Sequence, residues 1–404
     1  MPWKKLSRNP AAGSGKIAWP RVQKHVEVKQ KFSAEDARRF AFKNPNINFF
    51  LICRQKAVQL GSKNYDHKAA VFFTLPDEIV RKLLDNHTFS DPAILHEDCD
   101  LYVKAGVSVA YYNSNDSRMN QTISIARDYV MKDGGAAIDV VIIFAANLIH
   151  DLVGRNSKRS ADRLKLLDVE AKPNQTKPSH KLVCATDAII KDLADAQKLQ
   201  KKGITVLLSV LNDHESHSWS SFSDPEDAGN FAKQLKHIVE NYNLDGIDID
   251  DEWAEENTPK IPTSLAMVTA MMRFQMPDKI ISKALWAKTR DIEYLNKKHS
   301  YHGKENKKHF LVDNLTYGWE MSYDIPDVFD IERLEAYCKE PDGMKKKSVC
   351  KGFEGGKPYK DADLHTYFDK LKKEGYGGFM VFSFEKESGQ DLMKKLLKLW
   401  QDEA

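Results

Sequence analysis

The sequence predicts an α/β fold whose main part is a (β/α)8 TIM barrel, preceded by a small N-terminal α+β accessory domain. Three observations support this prediction. From Gly106 onwards, apolar strands of five to nine residues alternate with helical segments, a pattern typical of a parallel sheet buried on both faces. The 298 residues of 107–404 fit a barrel with insertions better than a short doubly wound sheet. Residues 1–106 lack this alternation and are predicted to form a separate unit.

The N-terminal part of the chain divides into an arm and a small domain. Residues 1–26 are basic, with scattered proline and glycine, and we expect a disordered arm. Residues 27–106 contain two apolar strands, Phe49–Ile52 and Ala70–Leu75, and are predicted as the accessory domain. The first 40 residues carry ten Lys/Arg and three Asp/Glu, although the whole chain has a net charge of only +3. This near balance argues against a dedicated nucleic-acid-binding protein.

Seven barrel strands are predicted within residues 107–404 from their apolar runs. They are Val107–Tyr112, Ile138–Ala146, Ile204–Leu211, Gly246–Asp250, Lys279–Leu285, Leu315–Ser322 and Gly378–Phe384. One intervening helix is predicted to stop before Gly203, and another to begin after Asp224, which precedes a proline. The charged stretches are predicted as solvated insertions at the barrel rim: 154–181, 287–312 and 340–361.

Composition also disfavours several classes of protein. The longest apolar run, Val140–Ala146, is much shorter than the ~18–20 residues of a membrane span. Polar sequence follows Met1–Lys5, so we expect no signal peptide in this chain, and we favour a mature form that is secreted or on the cell surface. The five cysteines include no CxxC pair, which argues against a zinc site, although Cys338 and Cys350 could pair in an extracellular protein. We expect a monomer with no cofactor and no metal.

One strand carries acidic residues in alternation. In the segment LDGIDIDDEW, the side chains of Asp248, Asp250 and Glu252 share one face and two isoleucines share the other. In a parallel barrel the isoleucines pack under the helices, and the acids line the interior towards the C-terminal mouth. Crowding and burial raise the pKa of at least one carboxyl group, which general acid catalysis near neutral pH requires. The alternatives are a solvated acidic loop and a calcium loop, although a calcium loop lacks interleaved β-branched residues.

The same segment carries a family signature. Residues 245–252, DGIDIDDE, match the DxxDxDxE pattern of glycoside hydrolase family 18. The chain resembles the Endo H-like endo-β-N-acetylglucosaminidases of that family more than its chitinases. Supporting stretches follow in the family's order between residues 107 and 390: 107–112, 140–147, 206–211, 276–282 and 374–377. Residues 1–106 lie outside the resemblance.

The resemblance implies a substrate-assisted mechanism, in which the 2-acetamido oxygen of the substrate is the nucleophile and an oxazolinium intermediate forms with retention of configuration. It assigns the general acid and base to Glu252, orientation of the acetamide N–H to Asp250, and support of Asp250 to Asp248. Tyr323 lies in an MxYD pattern at a strand end and would donate its hydroxyl to the acetamide carbonyl; a core tyrosine is the alternative. Asp245 has the opposite strand parity, so we expect a structural role for it.

Further residues at strand ends are predicted to bind the substrate. Phe382 stands where chitinases usually place a tryptophan, and an aromatic ring there still provides an apolar floor for a sugar. Trp286 and Trp319 are predicted as pocket walls. Asn147 and His214 follow the second and third strands and could contact the glycan, with a plain polar loop as the alternative for each.

These features predict an enzyme that acts on N-linked glycans and glycoproteins. The expected reaction is hydrolysis of the β-1,4 bond between the two core GlcNAc residues, which leaves one GlcNAc on the protein. The alternatives are a chitinase acting on GlcNAc polymers and a non-catalytic glycan-binding barrel. Lectins of this family typically lose the terminal glutamate, so the presence of Glu252 favours an enzyme.

Overall fold

A computed structural model gives the fold of most of the chain. The residues that it describes are 3–8, 25–28, 33–44, 46–53, 58–60, 63–65, 70–75, 79–81, 83, 88–89, 99–104, 106–116, 121–130, 135–149, 164–167, 181–212, 218–252, 260–286, 289–303, 307–321, 323, 329–339 and 342–401.

The N-terminal unit is an antiparallel sheet with one helix packed on it. Its elements are β1 (Trp3–Lys5), β2 (Ser7–Arg8), β3 (His25–Val28), α1 (Ala34–Lys43), β4 (Phe49–Cys53), β5 (Val58–Leu60), β6 (Lys63–Tyr65), β7 (Ala70–Phe73), β8 (Thr88–Phe89) and β9 (Cys99–Lys104). Five strands form the sheet in the order β1-β9-β4-β7-β3. Ala37 and Ala41 of α1 are buried in one cluster with Phe50 and Phe72 of the sheet. The two strands predicted in this region are confirmed by β4 and β7.

At residues 3–8 and 25–26 the structure differs from the disordered arm expected for residues 1–26; the rest of that arm lies outside the described residues. Trp3 is 1% exposed and packs edge-on against Phe50, with ring centroids 4.7 Å apart. Leu6 is buried as well, and His25–Val28 pairs with β7 at the opposite edge of the sheet. The physical reason is that two apolar side chains give this short segment buried area, which its basic average composition conceals.

Residues from 107 onwards form a closed barrel. The strands are β10 (Val107–Asn113), β11 (Val140–Ile149), β12 (Lys165–Leu166), β13 (Leu182–Ala185), β14 (Thr205–Leu211), β15 (Gly246–Asp250), β16 (Ile280–Leu285), β17 (Tyr301–His302), β18 (Lys308–His309), β19 (Tyr317–Glu320), β20 (Val349–Glu354) and β21 (Gly378–Phe382). Eight of them are parallel, in the order β10-β21-β20-β19-β16-β15-β14-β11, and pairing of β10 with β11 closes the ring. This confirms the predicted (β/α)8 TIM barrel.

Helices alternate with the barrel strands. They are α2 (Asp187–Gln200), α3 (Pro225–Asn241), α4 (Ser264–Gln275), α5 (Thr289–Leu295), α6 (Leu311–Asn314), α7 (Glu332–Tyr337), α8 (Asp361–Glu374) and α9 (Glu387–Gln401), with 3-10 turns at Ile123–Asp128, Trp219–Ser221 and Lys346–Ser348. The Asp224 side chain accepts a hydrogen bond from the N–H of Glu226, so it caps α3 as predicted. Gly203 follows α2 with a φ of 81°, a left-handed conformation that favours glycine.

One barrel strand lies where a solvated insertion was predicted. β20 falls inside the charged stretch 340–361, and its first five residues are buried. Lys351 of β20 forms an ion pair with Glu320 of β19, and both side chains are 1% exposed. The prediction is wrong here because the sequence alone does not distinguish a buried lysine that is paired with a carboxylate from a lysine exposed to solvent. The stretch 287–312 contains α5 and the β17–β18 pair, and most of 154–181 lies outside the described residues.

The N-terminal unit covers the N-terminal end of the barrel. The ring of Phe42 stacks on Tyr317 with centroids 4.7 Å apart, and the Tyr317 hydroxyl donates to the Phe42 carbonyl at 2.9 Å. Beside them, the carboxylate of Asp245 receives Arg39 Nη2 at 2.7 Å and Lys43 Nζ at 3.0 Å. The C-terminal ends of the strands, where barrel enzymes carry their active sites, lie at the opposite face.

Two further features bear on the sequence predictions. Among the described residues, no helix combines the length and apolar character that a membrane crossing requires. Cys338 and Cys350 are not joined to each other by the disulfide left open above. Cys350 lies in the inner cluster of the barrel and Cys338 in the outer one, which places them on opposite faces of the strand layer.

Candidate active site

Strand β15 carries the acidic residues at the centre of the site. Ile247 and Ile249 pack in the outer cluster with the helices, as the alternation of side chains along a strand requires. Asp248 and Asp250 therefore point into the barrel, and they are 0% and 2% exposed. Glu252 follows the end of β15 and is half-buried. The structure brings these three predicted residues together at the C-terminal end of one strand.

Asp248 is bound by three donors inside the barrel. Its Oδ2 accepts the Tyr111 hydroxyl at 2.7 Å, and its Oδ1 accepts the Ser282 hydroxyl at 2.6 Å and the Trp319 indole N–H at 3.0 Å. Burial raises the pKa of Asp248 to about 6, and the hydrogen bonds act in the opposite direction. The donors thus keep this carboxyl group ionisable near neutral pH in spite of its burial.

Asp250 lies two residues further along β15 than Asp248, closer to the C-terminal mouth of the barrel. Burial raises its pKa well above the ordinary value, and the neighbouring charges of Glu252 and Asp248 raise it further. Its Oδ1 has no hydrogen-bond partner among the described residues. A buried carboxyl group in this state favours a proton or a hydrogen-bond donor, such as the N–H of a ligand.

The main chain at Glu252 is held by a residue of the neighbouring strand. Asn212 directly follows β14, is completely buried, and donates from Nδ2 to the carbonyl of Glu252 at 2.7 Å. The same nitrogen donates to Asp251 Oδ1 at 3.0 Å. The sequence did not reveal this contact, since a single asparagine after a strand carries no recognisable signal.

Aromatic rings line the interior beside the acids. Phe382 and Tyr323 stack with centroids 6.0 Å apart and an interplanar angle of 2°. Phe144 meets Phe382 edge-on at 5.4 Å, and Tyr111 approaches both phenylalanines at 6.2–6.3 Å. Sequence analysis named Phe382 and Tyr323 but missed Phe144, whose place in an apolar strand gave no sign that its ring is only partly buried.

The two predicted tryptophan walls have different environments. Trp286 follows β16 and is partly buried against the inner cluster. Its backbone N–H donates to Asp291 Oδ2 at 2.7 Å, and its backbone carbonyl accepts the Tyr337 hydroxyl at 2.8 Å. Trp319 differs from the expected pocket wall, because it is 0% exposed and its indole N–H is committed to Asp248. A ring this deep supports the carboxylate and presents no surface to a sugar.

Of the two polar residues predicted to bind the substrate, one lies in the described part of the chain and the other does not. Asn147 is half-buried on β11, where it is in register with Leu211 of the barrel strand β14 and with Cys184 of the antiparallel β13. His214 lies outside the described residues.

Residues 108–333 match the family model described as glycosyl hydrolases family 18, which is more than half of the chain. The chain belongs to glycoside hydrolase family 18. This agrees with the fold and with the acidic signature on β15.

Two curated relatives of this family 18 chain are endo-β-N-acetylglucosaminidases. One, from Flavobacterium sp. (strain SK1022), is 31% identical over 180 residues, which cover 43% of this chain and 49% of the relative. The other, endo-β-N-acetylglucosaminidase F1 of Elizabethkingia meningoseptica, is 28% identical over 171 residues, or 40% and 44% of the two chains. The chain thus spans about half the length of the curated relatives that it matches.

Two solved structures are also similar to this family 18 chain. EndoBT-3987 of Bacteroides thetaiotaomicron, in complex with Man9GlcNAc2Asn substrate, aligns with a TM-score of 0.47 and 17% identity, covering 89% of this chain and 83% of that one. A family 18 chitinase of Pseudoalteromonas aurantia aligns with a TM-score of 0.46 and 17% identity, covering 72% and 100%.

Proposed function

We propose that the protein is an endo-β-N-acetylglucosaminidase that hydrolyses the β-1,4 bond between the two core GlcNAc residues of N-linked glycans. The observation that carries this proposal is the series Asp248, Asp250 and Glu252, which runs along β15 and just past its end in a family 18 barrel. Both curated relatives named above are endo-β-N-acetylglucosaminidases, which favours this specificity over chitin cleavage. One GlcNAc would remain on the glycoprotein.

The proposed mechanism uses the substrate as its own nucleophile, as family 18 enzymes do. The carbonyl oxygen of the 2-acetamido group attacks the anomeric carbon while Glu252 donates its proton to the departing glycosidic oxygen. Glu252 then takes a proton from a water molecule as the water oxygen attacks the anomeric carbon. This attack breaks the bond from the anomeric carbon to the acetamide oxygen, which opens the oxazolinium ring and restores the acetamide. Two inversions at the same carbon give net retention of configuration.

Asp250 and Asp248 support the acetamide in this scheme. The Asp250 carboxyl group, with its unpartnered Oδ1 inside the barrel, accepts the acetamide N–H and directs the carbonyl towards the anomeric carbon. Burial and the charges of Glu252 and Asp248 raise the pKa of Asp250, so its carboxyl group favours a hydrogen-bond donor such as this N–H. Asp248 stays fixed by its three donors.

Tyr323 and the neighbouring rings complete the proposed sugar site. The Tyr323 hydroxyl is assigned to the acetamide carbonyl, and its ring lies parallel to that of Phe382. Phe382 and Phe144 supply apolar surface beneath the sugar next to the scissile bond. Trp286 is assigned as a wall beyond this ring.

The Glu252→Gln variant tests the assignment of the acid. We expect kcat on a high-mannose glycoprotein to fall by about 10²–10⁴-fold, because the amide cannot donate the proton to the leaving oxygen. The products are weighed by mass spectrometry, and wild-type cleavage leaves one HexNAc on each glycosylated asparagine. Glu374→Gln, on the exposed end of α8, is the matched control and should cleave at the wild-type rate.

The outcomes separate the rival functions. Cleavage of chitin oligomers by the wild-type protein, with the glycoprotein left intact, would assign a chitinase instead. Binding of glycan with no cleavage of either substrate would indicate a lectin. Wild-type rates for Glu252→Gln would contradict the role given to this residue.

A further inference from the structure

We infer that Asn212 is a positioning residue, which fixes the main chain at Glu252 and thereby aims the carboxyl group at the glycosidic oxygen. This inference rests on the proposed function, since it concerns the reaction of the same site. The role inferred for Asn212 involves no contact with the substrate. Its side chain is completely buried between the end of β14 and the segment that follows β15.

The pairing of the strands explains why this segment needs a side chain to hold it. β15 pairs with β14 up to Asp250, opposite Leu211, and with β16 only up to Ile249. Glu252 lies two residues beyond the last of these pairs. Beyond the end of the strand pairing, the side-chain amide of Asn212 supplies the hydrogen bonds to this segment. It donates to the Glu252 carbonyl at 2.7 Å and to Asp251 Oδ1 at 3.0 Å.

The amide of Asn212 is itself fixed. Its Oδ1 accepts the backbone N–H of Trp219 at 3.1 Å, so both ends of the amide are committed. Trp219 is fully buried, and its indole N–H donates to the Val210 carbonyl at 2.7 Å. The hydroxyl of Ser264, at the start of α4, donates to the Trp219 carbonyl at 2.7 Å. The position of Glu252 is therefore tied through Asn212 to the strand and to the helix packed behind it.

Charge gives Asn212 a second task. Asp251 is completely buried beside the catalytic carboxyl groups, and its charge adds to the repulsion on Asp250. A neutral amide at position 212 donates to this carboxylate and brings no charge of its own. An aspartate in its place would face both a carboxylate and a carbonyl with an acceptor.

The Asn212→Ala variant tests the inference. Because a displacement of about 1 Å at a catalytic group costs on the order of 100-fold in rate, we expect kcat to fall by about 10- to 100-fold while KM changes by less than about 2-fold. Asn212→Asp, which keeps the shape and loses the donor, should lose at least as much. Asn314→Ala is the matched control, since Asn314 is a buried asparagine that donates to Thr269 Oγ1 away from the site.

A second substrate separates positioning of the acid from general damage. A glycan with nitrophenol as its leaving group needs little protonation, so a misplaced acid matters less. We expect the loss for Asn212→Ala to shrink at least tenfold on this substrate. An equal loss on both substrates, or an unchanged kcat for Asn212→Ala with its thermal unfolding lowered as in Asn314→Ala, would overturn the inference.

Two outcomes distinguish a failure of the proposed function from a failure of the role given to Asn212. If the wild-type protein leaves the core GlcNAc–GlcNAc bond intact, the proposed function fails. If the wild type cleaves that bond and Asn212→Ala cleaves it equally fast, only the role of Asn212 fails.

Discussion

At the scale of single residues, Asp248 shows how a barrel interior tunes one carboxyl group. Its three donors, Tyr111, Ser282 and Trp319, come from three different strands, so the charge is stabilised only when the barrel is closed. Burial alone would keep the group protonated, and the donors offset it until the pKa stands at about 6.

The Tyr111→Phe variant removes one of these donors. A hydrogen bond to a charged group contributes about 1.5–3 kcal/mol, or about one to two pKa units, so the pKa of Asp248 should rise above its value of about 6. Protonated Asp248 then accumulates at higher pH, and the acidic limb of the kcat/KM profile should move upwards. The measurement is kcat/KM as a function of pH, between pH 4.5 and 8.5, for the wild type and the variant.

Tyr317→Phe provides the control for that profile. Tyr317 lies in the same inner cluster, but its hydroxyl donates to Phe42 at the far end of the barrel. We expect lower stability and an unmoved profile. Equal shifts in the two variants would remove Tyr111 from the control of Asp248.

The residues of the site differ in how far sequence could predict them. The positions of Asp248 and Asp250 followed from alternation along a strand, because side-chain parity is a local property. Asn212 and Phe144 could not be predicted in the same way. Their contacts depend on which strands become neighbours and on the register between them, and neither is visible in a window of one strand.

At the scale of elements, contacts between β16 and α5 fix the segment that carries Trp286. Lys283 on β16 lies 3.0 Å from Asp291 on α5, and both side chains are 1% exposed. The same Asp291 oxygen accepts the N–H of Trp286. An ion pair between a strand and a helix thus sets the start of the segment on which the predicted sugar wall lies.

The Tyr337→Phe variant loosens this wall from its other side. It removes the 2.8 Å hydrogen bond from α7 to the Trp286 carbonyl. A hydrogen bond of this kind contributes about 0.5–1.5 kcal/mol, so we expect KM for the glycan to rise about 2- to 10-fold with kcat little changed. Steady-state kinetics on the glycoprotein measure both quantities.

Tyr367→Phe is the comparison for this prediction. The Tyr367 hydroxyl is buried without a hydrogen-bond partner in the described part of the chain, so its removal should leave KM unchanged. A rise in KM shared by both variants would point to packing around the tyrosines and away from Trp286.

The elements also divide into those that sequence predicted and those it missed. Seven of the barrel strands were predicted because they are apolar along most of their length, as in a sheet covered on both faces. β20 was missed because Lys351 and Gly352 interrupt it, and the buried partner Glu320 lies 31 positions away in the chain. β1 was missed for a similar reason, since one tryptophan anchors it in a basic segment.

At the scale of the whole molecule, the N-terminal unit and the barrel are joined by a partly buried ion cluster. Asp245 precedes β15 and, besides Arg39 and Lys43 of α1, it accepts Gln200 Nε2 and the N–H of Val206, each at 3.0 Å. The cationic partners outweigh burial and lower the pKa of Asp245. The structural role expected for this residue from its strand parity is thus a junction between two units, at the end of the barrel remote from the acids.

The Asp245→Asn variant tests this junction. We expect the free energy of unfolding at pH 7 to fall by about 2–3 kcal/mol, because two partly buried cations lose their counter-charge. A depressed folded-state pKa stabilises the fold above the unfolded value of about 3.9 and ceases to do so as pH falls through the folded pKa. Urea unfolding at pH 7 and pH 3 should therefore show a clear difference in stability between the wild type and the variant at pH 7 and a smaller difference at pH 3.

Asp391→Asn serves as the control for this comparison, since its ion pair with Lys394 is exposed. It should unfold like the wild type at both pH values. A gap between Asp245→Asn and the wild type that stayed constant with pH would indicate a packing defect and no role for the charge.

The stacked rings along the barrel axis have a spectroscopic consequence. Trp319 bonds to Asp248 at one end and stacks at 5.4 Å on Tyr317, which stacks in turn on Phe42 of the N-terminal unit. Its indole is therefore exposed to the charge of Asp248 and, through one intervening ring, to the position of α1. Protonation of Asp248 and detachment of the N-terminal unit would each alter the field around this indole, so the emission of Trp319 is an intrinsic optical reporter of both ends of the barrel.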